Sequence, residues 1–217
     1  VTTAATTQEW LLTLAAGISA VGTIGAVFAA LFVIPRREKR RRPKLSVTFD
    51  PESRFDALTT APRGRGLSHW VLPRVHNQAG RDMAVDVEVV FLEMLNLETG
   101  EPLNFENRCL EWGGVGGAQI SVAAGAYRHI TLLYLASGDQ VPEPGTADFK
   151  ATVVAIPDPG GGRNALPAGR YRARFVVTAK NADAAHYEID VDYDGTWWPD
   201  SEIWKHLVIG QPRRVAV

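Results

Sequence analysis

From Trp10 to Ile34 the chain runs through 25 residues without a charged side chain. Neither the helical nor the strand alternation of polar and apolar positions interrupts that run; only small hydroxyl residues such as Thr13, Ser19 and Thr23 break it. As a helix it is roughly 38 Å long, more than the about 30 Å of hydrocarbon in a bilayer. A helix that is apolar on all sides belongs in a large core or in a membrane. The pattern predicts a transmembrane helix over 10–35, with the Trp10 indole at one interface. Gly22, Ala26 and Ala30 recur four residues apart. That face would let a second helix approach closely, through either a homo-oligomer or a partner's span.

Beyond Pro43 the period changes to two. Lys44–Asp50 alternates, with Leu45, Val47 and Phe49 on one face, as a half-buried strand does. Residues 51–67 read as a polar loop, and His69–His76 as one strand in which Pro73 marks an edge or a bulge. A turn over Asn77–Asp82 leads to a long strand, Ala84–Leu95. Shorter strands are predicted at Arg108–Trp112, Gln119–Val122, Tyr127–Leu135 and Asp148–Ile156, and a loop over Pro157–Gly169. A last hairpin, centred on Asp183, would set Arg174 opposite Asp192, Arg172 opposite Asp194 and Thr178 opposite Glu188. Its other face would pair Phe175 with Val191, Val177 with Ile189 and Ala173 with Tyr193. Asp200 is placed to cap a short helix that turns Ile203, Trp204 and Leu207 to one side. About eight short strands with almost no helix predict a mainly β body over 45–217, a two-sheet antiparallel sandwich.

Charge divides the chain more sharply than its net value of −1 suggests. Arg36, Arg37, Lys39, Arg40, Arg41, Arg42 and Lys44, against Glu38 alone, make residues 36–44 a collar of net +6. The body that follows carries net −6. Basic residues beside a span stay cytoplasmic, so the tail 1–9 is expected outside and the body in the cytoplasm. The collar and Trp10 are the candidate contacts to the lipid bilayer and its anionic headgroups. Nucleic acid is not an expected partner, because no aromatic residue interrupts the basic run and the attached body is acidic. The single cysteine, Cys109, excludes an intramolecular disulfide.

Candidate chemistry is sparse. His69, His76, His129, His186 and His206 are scattered and form no metal motif, so neither a metal nor a cofactor is expected. Gly113–Gly117 is glycine-rich but lacks the lysine and hydroxyl residue that close a phosphate loop. Asp190, Asp192 and Asp194 precede Gly195, but Ser201 stands where a calcium loop needs its acid. No catalytic constellation stands out. Trp197, Trp198 and Trp204 lie within eight residues, and either bind a partner or plug the end of the body.

The run Trp10-Leu11-Leu12, the apolar stretch to Phe32 and the segment Pro43-Lys44-Leu45-Ser46-Val47-Thr48-Phe49-Asp50 resemble a broad group of uncharacterised bacterial single-pass membrane proteins. Val75-His76-Asn77-Gln78-Ala79-Gly80-Arg81 and Tyr193-Asp194-Gly195-Thr196-Trp197 fit the same group. The resemblance implies an N-terminal transmembrane helix, an immunoglobulin-like β-sandwich and residence in the bacterial cytoplasmic membrane. It transfers no activity and no functional residue. The expected role is a membrane-anchored, cytoplasm-facing protein-interaction or scaffold module. An accessory subunit of a transport, stress or defence complex is one alternative, and an enzyme with dispersed catalytic residues is another.

Overall fold

The computed structural model describes residues 22–60, 67–103, 108–113, 118–137, 142–147, 151–153, 155–156, 165–199 and 201–216. The tail 1–9, Trp10 and the first half of the predicted span lie outside the described residues, as do 114–117, 148–150, 157–164 and Asp200. The chain divides into two units, Val1–Arg42 and Pro43–Val217.

In the first unit residues 22–28 are α-helical, Ala29–Val33 widen into a π-turn, and Ile34–Arg41 continue as α-helix. Pro35 accounts for the wide turn. It has no N–H to give the Leu31 carbonyl, and its ring would collide with that carbonyl in a regular α-helix. The Ile34 N–H reaches back to the Ala29 carbonyl instead. Pro43 ends the helix, because the residue before a proline is driven out of the helical region; Arg42 accordingly sits at ψ 139°. Ile24, Val27, Phe28, Leu31, Phe32 and Ile34 gather on one broad, exposed side. Gly22, Gly25, Ala26 and Ala30 occupy the other side. Among the described residues no helix is long and apolar enough to cross a membrane.

The second unit is mainly β. Its strands are β1 (Leu45–Thr48), β2 (Ala57–Thr60), β3 (Ser68–Val71), β4 (Arg74–Asn77), β5 (Ala84–Asn96) and β6 (Pro102–Leu103). They continue with β7 (Arg108–Trp112), β8 (Ile120–Val122), β9 (Tyr127–Thr131), β10 (Leu133–Ala136), β11 (Ala151–Val153) and β12 (Ala155–Ile156). The last are β13 (Ala165–Leu166), β14 (Gly169–Ala179), β15 (Ala182–Tyr193), β16 (Leu207–Ile209) and β17 (Arg213–Val215). A short helix, Ile203–His206, precedes β16. One ladder runs β1-β4-β9-β7-β5-β14-β15-β16 and the other β13-β11-β10-β3-β2, all antiparallel.

Only Leu72 and Pro73 separate β3 from β4, and only Leu132 separates β9 from β10, yet each pair divides between the two sheets. Two segments, 68–77 and 127–136, therefore pass side by side from one sheet into the other. Across the bend Leu132 N–H donates to Val71 O at 3.0 Å and Ile130 N–H to Pro73 O at 2.9 Å. Proline cannot donate in return, so the ladder breaks there. The expected single strands His69–His76 and Tyr127–Leu135 are each two strands in different sheets, and the expected loop 51–67 contains β2. The first ladder also curls: the Tyr187 hydroxyl, on β15, donates to the Leu45 carbonyl of β1 at 3.1 Å.

The β14–β15 hairpin is longer and differently registered than its charge pattern predicts. Its turn is at Lys180–Asn181, and Arg174 faces Glu188, Arg172 faces Asp190, and Arg170 faces Asp192. The expected partners are thus displaced by four residues. An even slip keeps every side chain on its face. Phe175, Val177 and Ala173 are buried as expected, but beside Tyr187, Ala185 and Ile189. The arginine face pairs closely: Arg172 Nε lies 2.7 Å from Asp190, Arg174 Nε 2.8 Å from Glu188, and Arg213 of β17 2.8 Å from Asp190. The core below is aromatic, with Phe91, Trp112, Tyr171, Phe175, Tyr193 and Trp197 almost wholly buried. Each large apolar side chain so buried contributes about 1.5–3 kcal/mol.

Two glycines separate backbone strain from crowding. Gly80 (φ +73°) faces open space, whereas a Cβ on Gly195 (φ +83°) would meet the Ala168 Cβ at 2.9 Å. Gly80→Ala is expected to cost about 1 kcal/mol, the left-handed penalty alone. Gly195→Ala should cost at least about 2 kcal/mol, because overpacking adds to it. Urea denaturation of the two variants gives the comparison, and equal losses would refute the crowding at Gly195. On the arginine face, the hydrogen bond from Arg172 holds the Asp190 carboxyl below its ordinary range. A depressed folded pKa contributes stability above the unfolded value of about 3.9, lost as pH falls through the folded one. Asp190→Asn should therefore lower the urea midpoint at pH 7, and the gap should close in strong acid.

Candidate functional site

Leu45, Val47, Val75 and Ile130 turn their side chains into the core. The alternation of a strand then puts Ser46, Thr48, Arg74, His76, Tyr127 and His129 together on the outer face of β1, β4 and β9. The register lays them in two rows, Ser46–His76–Tyr127 and Thr48–Arg74–His129. His76 packs against Tyr127 at 5.2 Å between ring centroids, and Tyr127 meets His129 edge-on at 5.5 Å. The Arg74 guanidinium lies over the Tyr127 ring at 5.3 Å, a cation–π contact.

Beneath this face Asp56 is fully buried. The turn from Asp50 to Asp56 delivers it: Ser53 N–H donates to Asp50 O, and Asp56 N–H to Ser53 O. One carboxylate oxygen accepts from Arg74 Nε at 2.5 Å and from His129 Nε2 at 3.2 Å. The other accepts the Asp50 N–H at 2.9 Å. Arg74 also donates to the Ser53 hydroxyl at 2.7 Å. The carboxylate therefore has three donors, as a buried charge requires. Facing a carboxylate, His129 Nε2 is the donor of that contact. His76 Nε2 lies 3.0 Å from the Thr48 hydroxyl. Burial lowers the pKa of His76, and the positive charge of Arg74 lowers it further.

Next to the histidines a shallow groove of about 520 Å³ is lined by Lys44, Ser46, Thr48, His76, Asn77, Gln78, Ala79 and Gly125. Face and groove together offer N–H and O–H donors and positive charge, while the carboxylate among them is buried and already satisfied.

The residues singled out from sequence fall elsewhere. Arg36, Arg37, Lys39, Arg40, Arg41 and Arg42 are exposed along the end of the helix, and Lys44 is exposed just before β1. Gly22, Ala26 and Ala30 are exposed on its small-residue side. Trp197 is fully buried, and Trp198 and Trp204 pack partly buried against the core. His69, also fully buried, connects them: its Nδ1 lies 2.8 Å from the Thr59 hydroxyl and its Nε2 2.7 Å from the Trp198 carbonyl. His206 stacks on Trp198 and pairs with Asp194 at 2.6 Å. Burial disfavours the Asp194 charge, but hydrogen bonds from Thr196 and His206 outweigh it and lower the pKa. Among the described residues no three His, Cys, Asp or Glu side chains are grouped to hold a metal.

Sequence reasoning missed the polar face because β4 and β9 are distant along the chain. The signal was present as two short period-two patterns, Arg74-x-His76 and Tyr127-x-His129, each putting two polar rings or cations on one side of a strand. Comparison with protein-family models and with curated proteins finds no match to the chain.

Asp56→Asn leaves Arg74 and His129 without their anion, and is expected to destabilise the fold by about 1–3 kcal/mol at pH 7. Thr48→Val on the exposed rim should cost less than about 0.5 kcal/mol. Chemical denaturation ranks the pair; the reverse order would deny Asp56 its structural role. In histidine NMR titrations His76 should protonate below the ordinary value of about 6.5. Arg74→Gln should raise it, since repulsion goes and the Asp56 charge is released. The depressed value also means that stability falls as pH drops from the unfolded value towards the folded one.

Proposed function

We propose that the chain is a membrane-anchored binding module. In this reading residues 10–35 span the membrane, the collar 36–44 lies at its cytoplasmic surface, and an immunoglobulin-like antiparallel sandwich recruits a partner in the cytoplasm. The membrane is the cytoplasmic membrane of a bacterium. The observation that carries the reading is the exposure of Ile24, Val27, Phe28, Leu31, Phe32 and Ile34 on a helix that runs straight into Arg36–Arg42. Water penalises such a surface at about 25 cal/mol per Å², and a bilayer removes the penalty while the arginines meet headgroups. Residues 22–34 alone reach roughly 20 Å, and the uncharged residues 10–21 supply the remaining length. The recognition surface in this reading is the β1–β4–β9 face, where exposed rings and donors are held in place by a buried ion pair.

A second reading, an accessory subunit of a larger membrane complex, is favoured by the small-residue side of the helix, Gly22, Gly25, Ala26 and Ala30. Gly22→Leu with Ala26→Leu would block close packing there. Loss of co-purification with a complex would support this second reading, and unchanged behaviour would remove it.

In cells making the full chain, alkaline carbonate should leave the protein in the membrane pellet, and Phe28→Asp with Leu31→Asp should release it. Recovery of the unaltered chain in the supernatant would refute the anchor. A photo-crosslinking amino acid at Tyr127 should give one discrete adduct with a protein, and the same group at Lys205, away from the face, should not. Absence of any adduct at Tyr127 would refute the face as a protein-recruiting surface.

A further inference from the structure

The groove beside the polar face combines features that point to one kind of ligand. Among the described residues its lining contains no acidic side chain, although the body around it carries net −6. Lys44 supplies a permanent positive charge at its rim, and Ser46 and Thr48 present hydroxyls from alternate positions of β1. His76 faces both from the neighbouring strand. Behind His76, the Arg74 charge is matched by Asp56, whose oxygens are all engaged within the fold. Among the described residues no carboxylate lines the groove to neutralise Lys44 or a protonated His76.

We propose that this groove binds a phosphate group, held by Lys44, Ser46, Thr48 and His76. The proposal rests on the reading of the β1–β4–β9 face as the recognition surface, and gives that surface a ligand chemistry. The hydrogen bonding is self-consistent. A protonated His76 donates through Nε2 to the Thr48 oxygen 3.0 Å away. The Thr48 hydroxyl hydrogen then turns outward and donates to the anion, as does the Ser46 hydroxyl. Lys44 completes a set of charge-assisted bonds, the strong kind for a phosphate oxygen. Binding also answers the repulsion at His76, where the Arg74 charge outweighs that of Asp56. The Tyr127 ring packs on His76 and closes one side of the face. The phosphate can come from a soluble phosphoryl compound or from the headgroup of an anionic lipid.

The test uses the full chain in nanodiscs, with labelled histidines followed by NMR near pH 6.5. In discs of neutral lipid, inorganic phosphate should shift the His76 signal saturably and raise its pKa, and chloride at the same ionic strength should not. Lys44→Gln should weaken the apparent affinity about tenfold, roughly one charge-assisted contact, and Lys205→Gln, outside the groove, should leave it unchanged. Lys44 is exposed, so its variant should keep the wild-type urea midpoint. Discs containing phosphatidic acid separate the sources. If His76 is shifted there before phosphate is added, and added phosphate shifts it no further, the ligand is a headgroup. If it responds only to added phosphate, the ligand is soluble. No shift in either disc, an equal shift with chloride, or wild-type affinity in Lys44→Gln overturns the proposal. A failed adduct at Tyr127 with intact phosphate binding would sink the protein-recruiting reading and leave this one standing; the converse pair of results would do the opposite.

Discussion

A proline inside a strand has no N–H to give its neighbour, and the β unit turns on that constraint at Pro73. The paired segments 68–77 and 127–136 are forced to change sheets together, because the ladder is interrupted at the same level on both. Asp56 secures the bend from two sides. Its carbonyl accepts the Leu72 N–H at 2.7 Å, and its carboxylate takes Arg74, the first residue after the proline. The outer face of β1, β4 and β9 exists because β4 and β9 leave one sheet for the other there.

The two sets of charges in the unit have different work. On β14 and β15 the arginines and acids are partly exposed, where each pair is worth up to about 1 kcal/mol. There they stabilise little and chiefly keep one face of a long hairpin polar. Asp56 is in the opposite situation. A buried carboxylate is costly unless every lone pair finds a donor, and three donors from two strands and a turn converge on it. That arrangement adds little net stability over an apolar substitute, but it orients Arg74 and His129 with little freedom to move.

Surroundings, more than residue type, assign the histidines their roles. His69 is sealed in the core and hydrogen-bonded at both nitrogens, joining β2 and β3 to the tryptophan segment. His206 is fixed between the Trp198 ring and the Asp194 carboxylate. His76 and His129 stand at a surface on neighbouring strands, with Arg74 two residues from the first and directly opposite the second. This last pair shares one face, with the Tyr127 ring in contact with both. The tryptophans follow the same logic: Trp197 is core, while Trp204 lines a second shallow groove with Phe55 and Leu58.

Local periodicity and local charge were enough to read a continuous apolar run, the basic segment that ends it and a period-two body. They also sorted the faces of β14 and β15 correctly, because side-chain alternation has a period of two and survives any even slip. They did not place the turn at Lys180–Asn181, since several registers satisfied the same alternation of arginines and acids. Nor did they reveal that Pro73 divides two sheets, because a proline signals only a missing donor and not where the chain goes next. The polar face lay furthest from view. Arg74 and His76 meet Tyr127 and His129 across some fifty intervening residues, and nothing local to either strand specifies that pairing. It is decided when the core residues between them, Val75 and Ile130, are buried together and the outward side chains are left side by side.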